Sequence, residues 1–152
     1  MMTRSIQKAT PAVLMALFII LGMLTFSCSE NKVTQAKASS QLLLQVSLRR
    51  QQLASPTEER LAEMQAMGMR TENIGVQRIY IRLFQQVTEA QANELRTLGI
   101  TVYSDSWVPP VGQHPTGFML ADMPVGKLDA LAAKEYVVRL DTAERKLEPQ
   151  LK

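Results

Sequence analysis

The chain has 152 residues with 7 Gly, 7 Pro, one Cys, one His and 20% charged residues, enough for one compact domain. Cys28 and His114 are the only thiol and imidazole, so no structural zinc site, disulfide framework, Cys-His couple or multi-His metal centre can be built within one chain, and no metal or cofactor is expected. Arg4 and Lys8 account for most of the formal charge of +3; from Cys28 onward 15 basic residues face 14 acidic ones, which gives no argument for nucleic acid as a partner.

Met1 to Thr10 carries Arg4 and Lys8, and Ala12 to Phe26 is an uncharged 15-residue run ending among small polar residues around Cys28. This is the pattern of a secretory signal. In a helix the run reaches roughly 22 Å, short of the ~30 Å hydrocarbon core, so spanning is the weaker reading. Leu24-Thr25-Phe26-Ser27-Cys28 resembles the lipobox of bacterial lipoproteins, with Leu displaced by one position and Ser27 where a small residue belongs. The resemblance implies that residues 1–27 are removed and that acyl chains on Cys28 hold the protein on a membrane. The alternatives are an ordinary cleaved signal or an uncleaved anchor. No Asp follows Cys28, which favours the outer membrane in a Gram-negative host. Residues 28–40 are polar, without apolar periodicity, and read as a tether reaching about 40 Å when extended.

Residues 41–70 are rich in helix formers and are broken once, at Ser55-Pro56, which predicts two helices. In the first, Leu42, Leu43, Val46 and Leu53 are expected to face the core, and Gln41, Gln45, Arg49 and Gln52 to face water. In the second, Ser55 or Thr57 caps the start, with Glu58 and Glu59 at the positive end and Gly68 at the stop.

From Gln77 the chain alternates strand and helix. Gln77 to Phe84 puts Ile79, Ile81 and Leu83 on one face and Arg78, Tyr80 and Arg82 on the other. Thr88-Glu89-Ala90-Gln91 is a capping box, and the helix runs through Ala92, Leu95 and Leu98 to Gly99. Ile100 to Ser104 is a second strand, and Asp105 to Pro115, with three prolines, reads as a long exposed loop. Gly117 to Ala121 is a third strand, Pro124 opens a helix through Leu128, Leu131 and Ala132, and Tyr136 to Leu140 is a fourth strand. The order is βαββαβ, an α+β ferredoxin-like antiparallel sheet with two helices on one face.

The stretches RIYIRLF, TEAQANELRTLGITV, TGFMLADMP, VGKLDALAAKEYVVRLD and AERKL, in that order, resemble the N-terminal prodomain of subtilisin-like serine proteases over about Arg78 to Leu147. Thr116-Gly117-Phe118 stands for the third-strand motif, Met123-Pro124 for its end, Leu128 and Leu131 for the second helix, and Val137 to Asp141 for the last strand. The resemblance implies a protein that inhibits or templates a protease without catalytic residues of its own. In that family the open sheet face packs on two surface helices of the protease and the C-terminal tail lies across the active-site cleft. Tyr80, Arg82, Tyr103 and Arg139 then become the docking contacts, and Glu144 to Lys152 the cleft-binding stretch, with Leu147 or Leu151 selecting pockets. The chain stops at Lys152 without room for a catalytic domain. That points to a stand-alone inhibitor or chaperone acting in trans, to another envelope binding role, or to a gene that has lost its catalytic part.

Other residues have simpler roles. His114, between Gln113 and Pro115, is expected to be a solvent-facing turn residue. Asp105, Asp122 and Asp141 are read as turn-capping groups at strand ends, and no serine lies in a G-x-S-x-G context. Trp107, with Val108, Pro109, Pro110 and Val111, forms an exposed-looking apolar cluster, the candidate contact for a general protein-binding lipoprotein unrelated to proteolysis.

Overall fold

The computed structural model describes residues 32–145. Its elements in chain order are helices α1 (Ser40–Ala54) and α2 (Glu58–Ala66), strand β1 (Val76–Leu83), helix α3 (Glu89–Thr97), strands β2 (Thr101–Val108) and β3 (Gly117–Pro124), helix α4 (Leu128–Ala132) and strand β4 (Arg139–Thr142). The sheet order is β2-β3-β1-β4 with every neighbouring pair antiparallel, the ferredoxin-like arrangement.

Local chemistry sets most boundaries. Ser39 and Thr57 cap α1 and α2 by accepting from Leu42 N and Arg60 N, and Glu58 and Glu59 occupy the first turn of α2. The Thr88–Gln91 capping box forms in both directions, and Gly99 leaves α3 with φ +80°. β1 alternates as its sequence demands, burying Ile79, Ile81 and Leu83 against Met119, Ala121, Met123, Leu95, Leu128, Leu131 and Leu140, and Gln77 among Arg49, Gln45 and Thr142. Leu42 and Val46 of α1 join the same core, so α1 packs on the face that also carries α3 and α4. Each such side chain contributes about 1.5–3 kcal/mol of burial. Leu48, Met64 and Met69, flanked by Met67 and Ile74, form a smaller cluster under the α1–α2 hairpin.

Five features differ from the expectations above. The buried stripe of α1 is Leu42, Gln45, Val46, Leu48, Arg49 and Gln52, whereas Leu53 is 53% exposed. The polar members lie inward because each finds fixed partners. Arg49 donates to Gln77 Oε1 (2.8 Å), to the carbonyls of Asn73, Ile74 and Arg70, and to Glu144 Oε2 (2.6 Å), and Gln45 donates to the Glu144 carbonyl. Glu144 therefore belongs to the core, accepting also from Arg70 N and Arg78 N, and is not the start of a free tail.

Second, residues 32–37 are helical and 32–40 are packed, not a tether. Thr34 is buried, Lys37 Nζ donates to the Lys134 carbonyl at 2.9 Å, and Ala38 forms a parallel bridge to Leu140. Third, β2 continues to Val108, so the loop begins at Pro109. Its register against β3 shifts between Tyr103↔Leu120 and Val108↔Phe118, and Ser106 Oγ spans the irregularity by donating to the Tyr103 carbonyl and accepting from Leu120 N. Pro109 and Pro110, lacking N–H groups, stop the strand. Fourth, Trp107 is not an exposed loop residue but a half-buried one packed against the core. It lies over Gly117, where a Cβ would meet its ring at 2.6 Å and the Val108 carbonyl at 2.3 Å, so only glycine fits. Fifth, the second crossover opens with a 3-10 turn (Val125–Lys127) before α4, and β4 occupies Arg139–Thr142, because Val137 N closes a turn on the Lys134 carbonyl.

Candidate functional site: the open sheet face

With three helices on one side of the sheet, the alternate residues of β1 and β3 face outward: Arg78 opposite Asp122, Tyr80 opposite Leu120, and Arg82 opposite Phe118. Across the other ladder Tyr80 pairs with Asp141 and Arg82 with Arg139. The result is an apolar centre between two charged ends. Tyr80 and Phe118 meet edge to face with ring centroids 5.2 Å apart and planes at 75°.

At one end Arg78 grips Asp122 bidentately, Nε to Oδ1 at 2.8 Å and Nη2 to Oδ2 at 2.9 Å. Tyr103 Oη donates to the same carboxylate at 2.9 Å and Arg70 Nη2 at 3.1 Å, while the Arg78 guanidinium lies 5.6 Å from the Tyr103 ring centroid. The Arg78 hydrogen bonds, helped by Tyr103 and Arg70 and opposed by burial, hold the Asp122 carboxyl below the ordinary carboxylate value; in return Asp122 raises the Arg78 guanidinium. At the other end Asp141 lies between two arginines, accepting from Arg82 Nε at 2.8 Å and Arg139 Nε at 3.1 Å. Burial by itself would raise this carboxyl, but the bonds from Arg82 and then Arg139 outweigh it and the net shift is downward.

A pocket of about 490 Å³ opens on the Arg82 end, lined by Tyr80, Arg82, Phe118, Asp141, Ala143 and Arg145. The loop after β2 borders it: Val108, Pro109, Val111, His114 and Thr116 line an adjoining hollow of about 250 Å³ that shares Arg82 and Phe118. The sheet face and the Pro-rich loop are thus one continuous surface. His114 sits on this rim, where Arg82, Arg139 and Arg145 are its charged neighbours along with Asp141.

No known protein family, characterised protein or solved structure matches the chain.

Of the residues the sequence singles out, Tyr80 and Arg82 come together at the pocket, and Arg139 lies in an adjoining hollow that shares Arg82. Tyr103 lies at the opposite end with Asp122, and Trp107 turns into the core. Cys28, Leu147 and Leu151 lie outside the described residues. Sequence reasoning missed Phe118, Leu120, Asp122, Asp141 and Arg145 as members of the face. The alternation in GFMLADM was the available signal for the first three. Asp122 and Asp141 are not turn caps; both lie within strands and hold ion pairs. Off the face, Glu94 accepts from Lys134 Nζ (2.6 Å) and Tyr136 Oη (2.9 Å), tying α3 to the turn before β4. Burial and then the Glu94 bond push the Tyr136 phenol up, and Lys134 and Tyr136 lower the Glu94 carboxyl. Among the described residues no three His, Cys, Asp or Glu side chains gather as a metal set, and no helix is long and apolar enough to cross a membrane.

Proposed function

We propose that this protein is a non-catalytic binding module of the cell envelope that docks a subtilisin-like protease in trans, as inhibitor or folding chaperone, through its open sheet face. The observation that carries the reading is the bare face itself. Among the described residues, α1 packs on the opposite side through Leu42 and Val46 and leaves Tyr80, Phe118 and Leu120 half-exposed on this one. The sequence resemblance to subtilase prodomains supplies the partner, and the ferredoxin-like order supplies the same open face. Binding rather than chemistry is also favoured by Asp122 and Asp141, which are committed to arginines and held ionised, the opposite of what a general acid at neutral pH requires. With Glu144 fixed in the core, the stretch offered to the cleft shortens to residues 146–152, where Leu147 and Leu151 select pockets.

Inhibition of a panel of subtilases from the same organism tests the reading. The full chain should inhibit or accelerate refolding of at least one, and removal of 146–152 should abolish inhibition while leaving the circular dichroism unchanged. A panel wholly unaffected by the full chain refutes it. The loop that joins the face favours a second reading, a general protein-binding lipoprotein, for which capture of a non-protease partner would be lost on replacing Val111 but not on removing 146–152. Acylation of Cys28, the proposed membrane anchor, is read directly by mass spectrometry of the mature N-terminus.

A further inference from the structure

The pocket at the Arg82 end has two chemically distinct walls. Tyr80, Phe118 and Ala143 form an apolar one. The other carries Arg82 and Arg145 beside the single carboxylate of Asp141, with Arg139 joining them in an adjoining hollow. Arg82 and Arg139 each spend only Nε on Asp141, so their terminal amino groups have no acceptor among the described residues, and Arg145 has no hydrogen bond or ion pair there. Three guanidiniums against one carboxylate leave an excess of two positive charges beside an aromatic wall. The side chains of Arg82 and Arg139 are 38% and 58% exposed, so a ligand reaches them without unfolding anything.

We infer that this pocket recognises an acidic-apolar stretch of a protein partner, an Asp or Glu side chain seated on Arg82 and Arg145 with the neighbouring large apolar side chain against Tyr80 and Phe118. The inference rests on the docking reading above and names the chemistry of the partner at that face. Guanidiniums present paired donors that match a carboxylate, and the aromatic pair supplies the contact area that a bare anion would leave unused. A nucleic acid fits less well. Its phosphates, one per nucleotide, would have to pass both Asp141 and Asp122, and the chain as a whole carries only +3.

The test uses the full chain in discs of neutral phosphatidylcholine and a short fluorescein-labelled peptide with Glu-Leu steps separated by Gly-Ser spacers, followed by fluorescence anisotropy. Matched peptides carry Gln or Lys in place of Glu. The Glu peptide should bind at least about tenfold more tightly than either, and its affinity should fall with added salt. Arg145→Gln should weaken it about tenfold. That variant is decisive because Arg145 holds no other group among the described residues, and unchanged circular dichroism and Tm of Arg145→Gln separate loss of the contact from loss of fold; Phe118→Ser should weaken all the peptides alike. Equal binding of the Gln peptide, no binding of the Glu peptide, or no change in Arg145→Gln overturns the inference, as does a single-stranded oligonucleotide that displaces the peptide at lower concentration than unlabelled peptide does. A subtilase still inhibited by Arg145→Gln refutes this inference alone, whereas peptide binding without any subtilase inhibited refutes the protease reading alone.

Discussion

Replacing Arg49 by Met should cost this protein a large share of its stability. The Arg49 side chain is wholly buried and makes five hydrogen bonds, to Gln77, Asn73, Ile74, Arg70 and Glu144. Methionine fills similar space but leaves Gln77 Oε1 and the Arg70 carbonyl without this donor and removes the closest countercharge of Glu144. Breaking one side of a buried ion pair costs about 3–5 kcal/mol. Glu144 keeps Arg70 N, Arg78 N and the half-exposed Arg70 guanidinium, which places the cost toward the lower end, about 3 kcal/mol. A domain of this size holds roughly 6–15 kcal/mol in all, and each kcal/mol moves Tm by about 4 °C, so Arg49→Met should melt about 12 °C lower. The neighbouring Arg50 is the control. Its ion pair with Asp129 is 3.9 Å long with both side chains nearly half exposed, its guanidinium otherwise donates only to the Val125 carbonyl (3.0 Å from Nη2), and Arg50→Met should cost no more than about 1.5 kcal/mol. Urea unfolding followed by circular dichroism and by Trp107 fluorescence measures both. If the two variants lose equal stability, or Arg49→Met loses less than about 1 kcal/mol, the buried network does not organise this fold.

Deleting residues 32–70 removes Leu42, Val46, Gln45 and Arg49 from the core and its polar seam, and the remaining βαββαβ unit should lose its cooperative thermal transition in calorimetry. Gly117→Ala should destabilise by about 1–3 kcal/mol and red-shift Trp107 emission, since the new methyl meets both the ring and the Val108 carbonyl; unchanged emission would refute the packing. Asp122 and Asp141 titrate lower in the folded chain than in the unfolded one, so between the two values the unfolded chain binds more protons and stability rises with pH. Their contribution should be complete above the ordinary carboxylate value of about 3.9 and disappear as pH falls through the lower folded values. Urea titrations across that range should show Asp122→Asn and Asp141→Asn each flattening this acid slope.

Much of the scaffold is legible in the residues because its signals are local. The alternation of QRIYIRLF, the Thr88–Gln91 box and the Pro56 break each act over one or two turns of chain, and the elements they predict are present. The same alternation puts Tyr80 and Arg82 on the face opposite Ile79, Ile81 and Leu83. What is not legible depends on partners far along the chain. Amphipathic patterning assigns an arginine to water, and nothing within a helical turn of Arg49 announces Glu144, 95 residues later. The extension of β2 depends on a bulge that Ser106 spans by accepting from Leu120 N of β3. Asp141 looks like a strand-end residue until Arg82 and Arg139 are brought to either side of it.

The packing of residues 34–39 against Asp129, Lys134 and Leu140 changes the reach of any membrane anchor. If Cys28 carries acyl chains, residues 29–31 alone join the lipid to packed structure, a leash of about 10 Å instead of 40 Å. So short a leash holds the domain within a thin layer over the bilayer, where encounters become two-dimensional and the effective concentration of a partner on the same membrane far exceeds its bulk value. A weak, broad face would suffice there for a membrane-bound protease, whereas a partner diffusing freely in solution would have to be held by affinity alone.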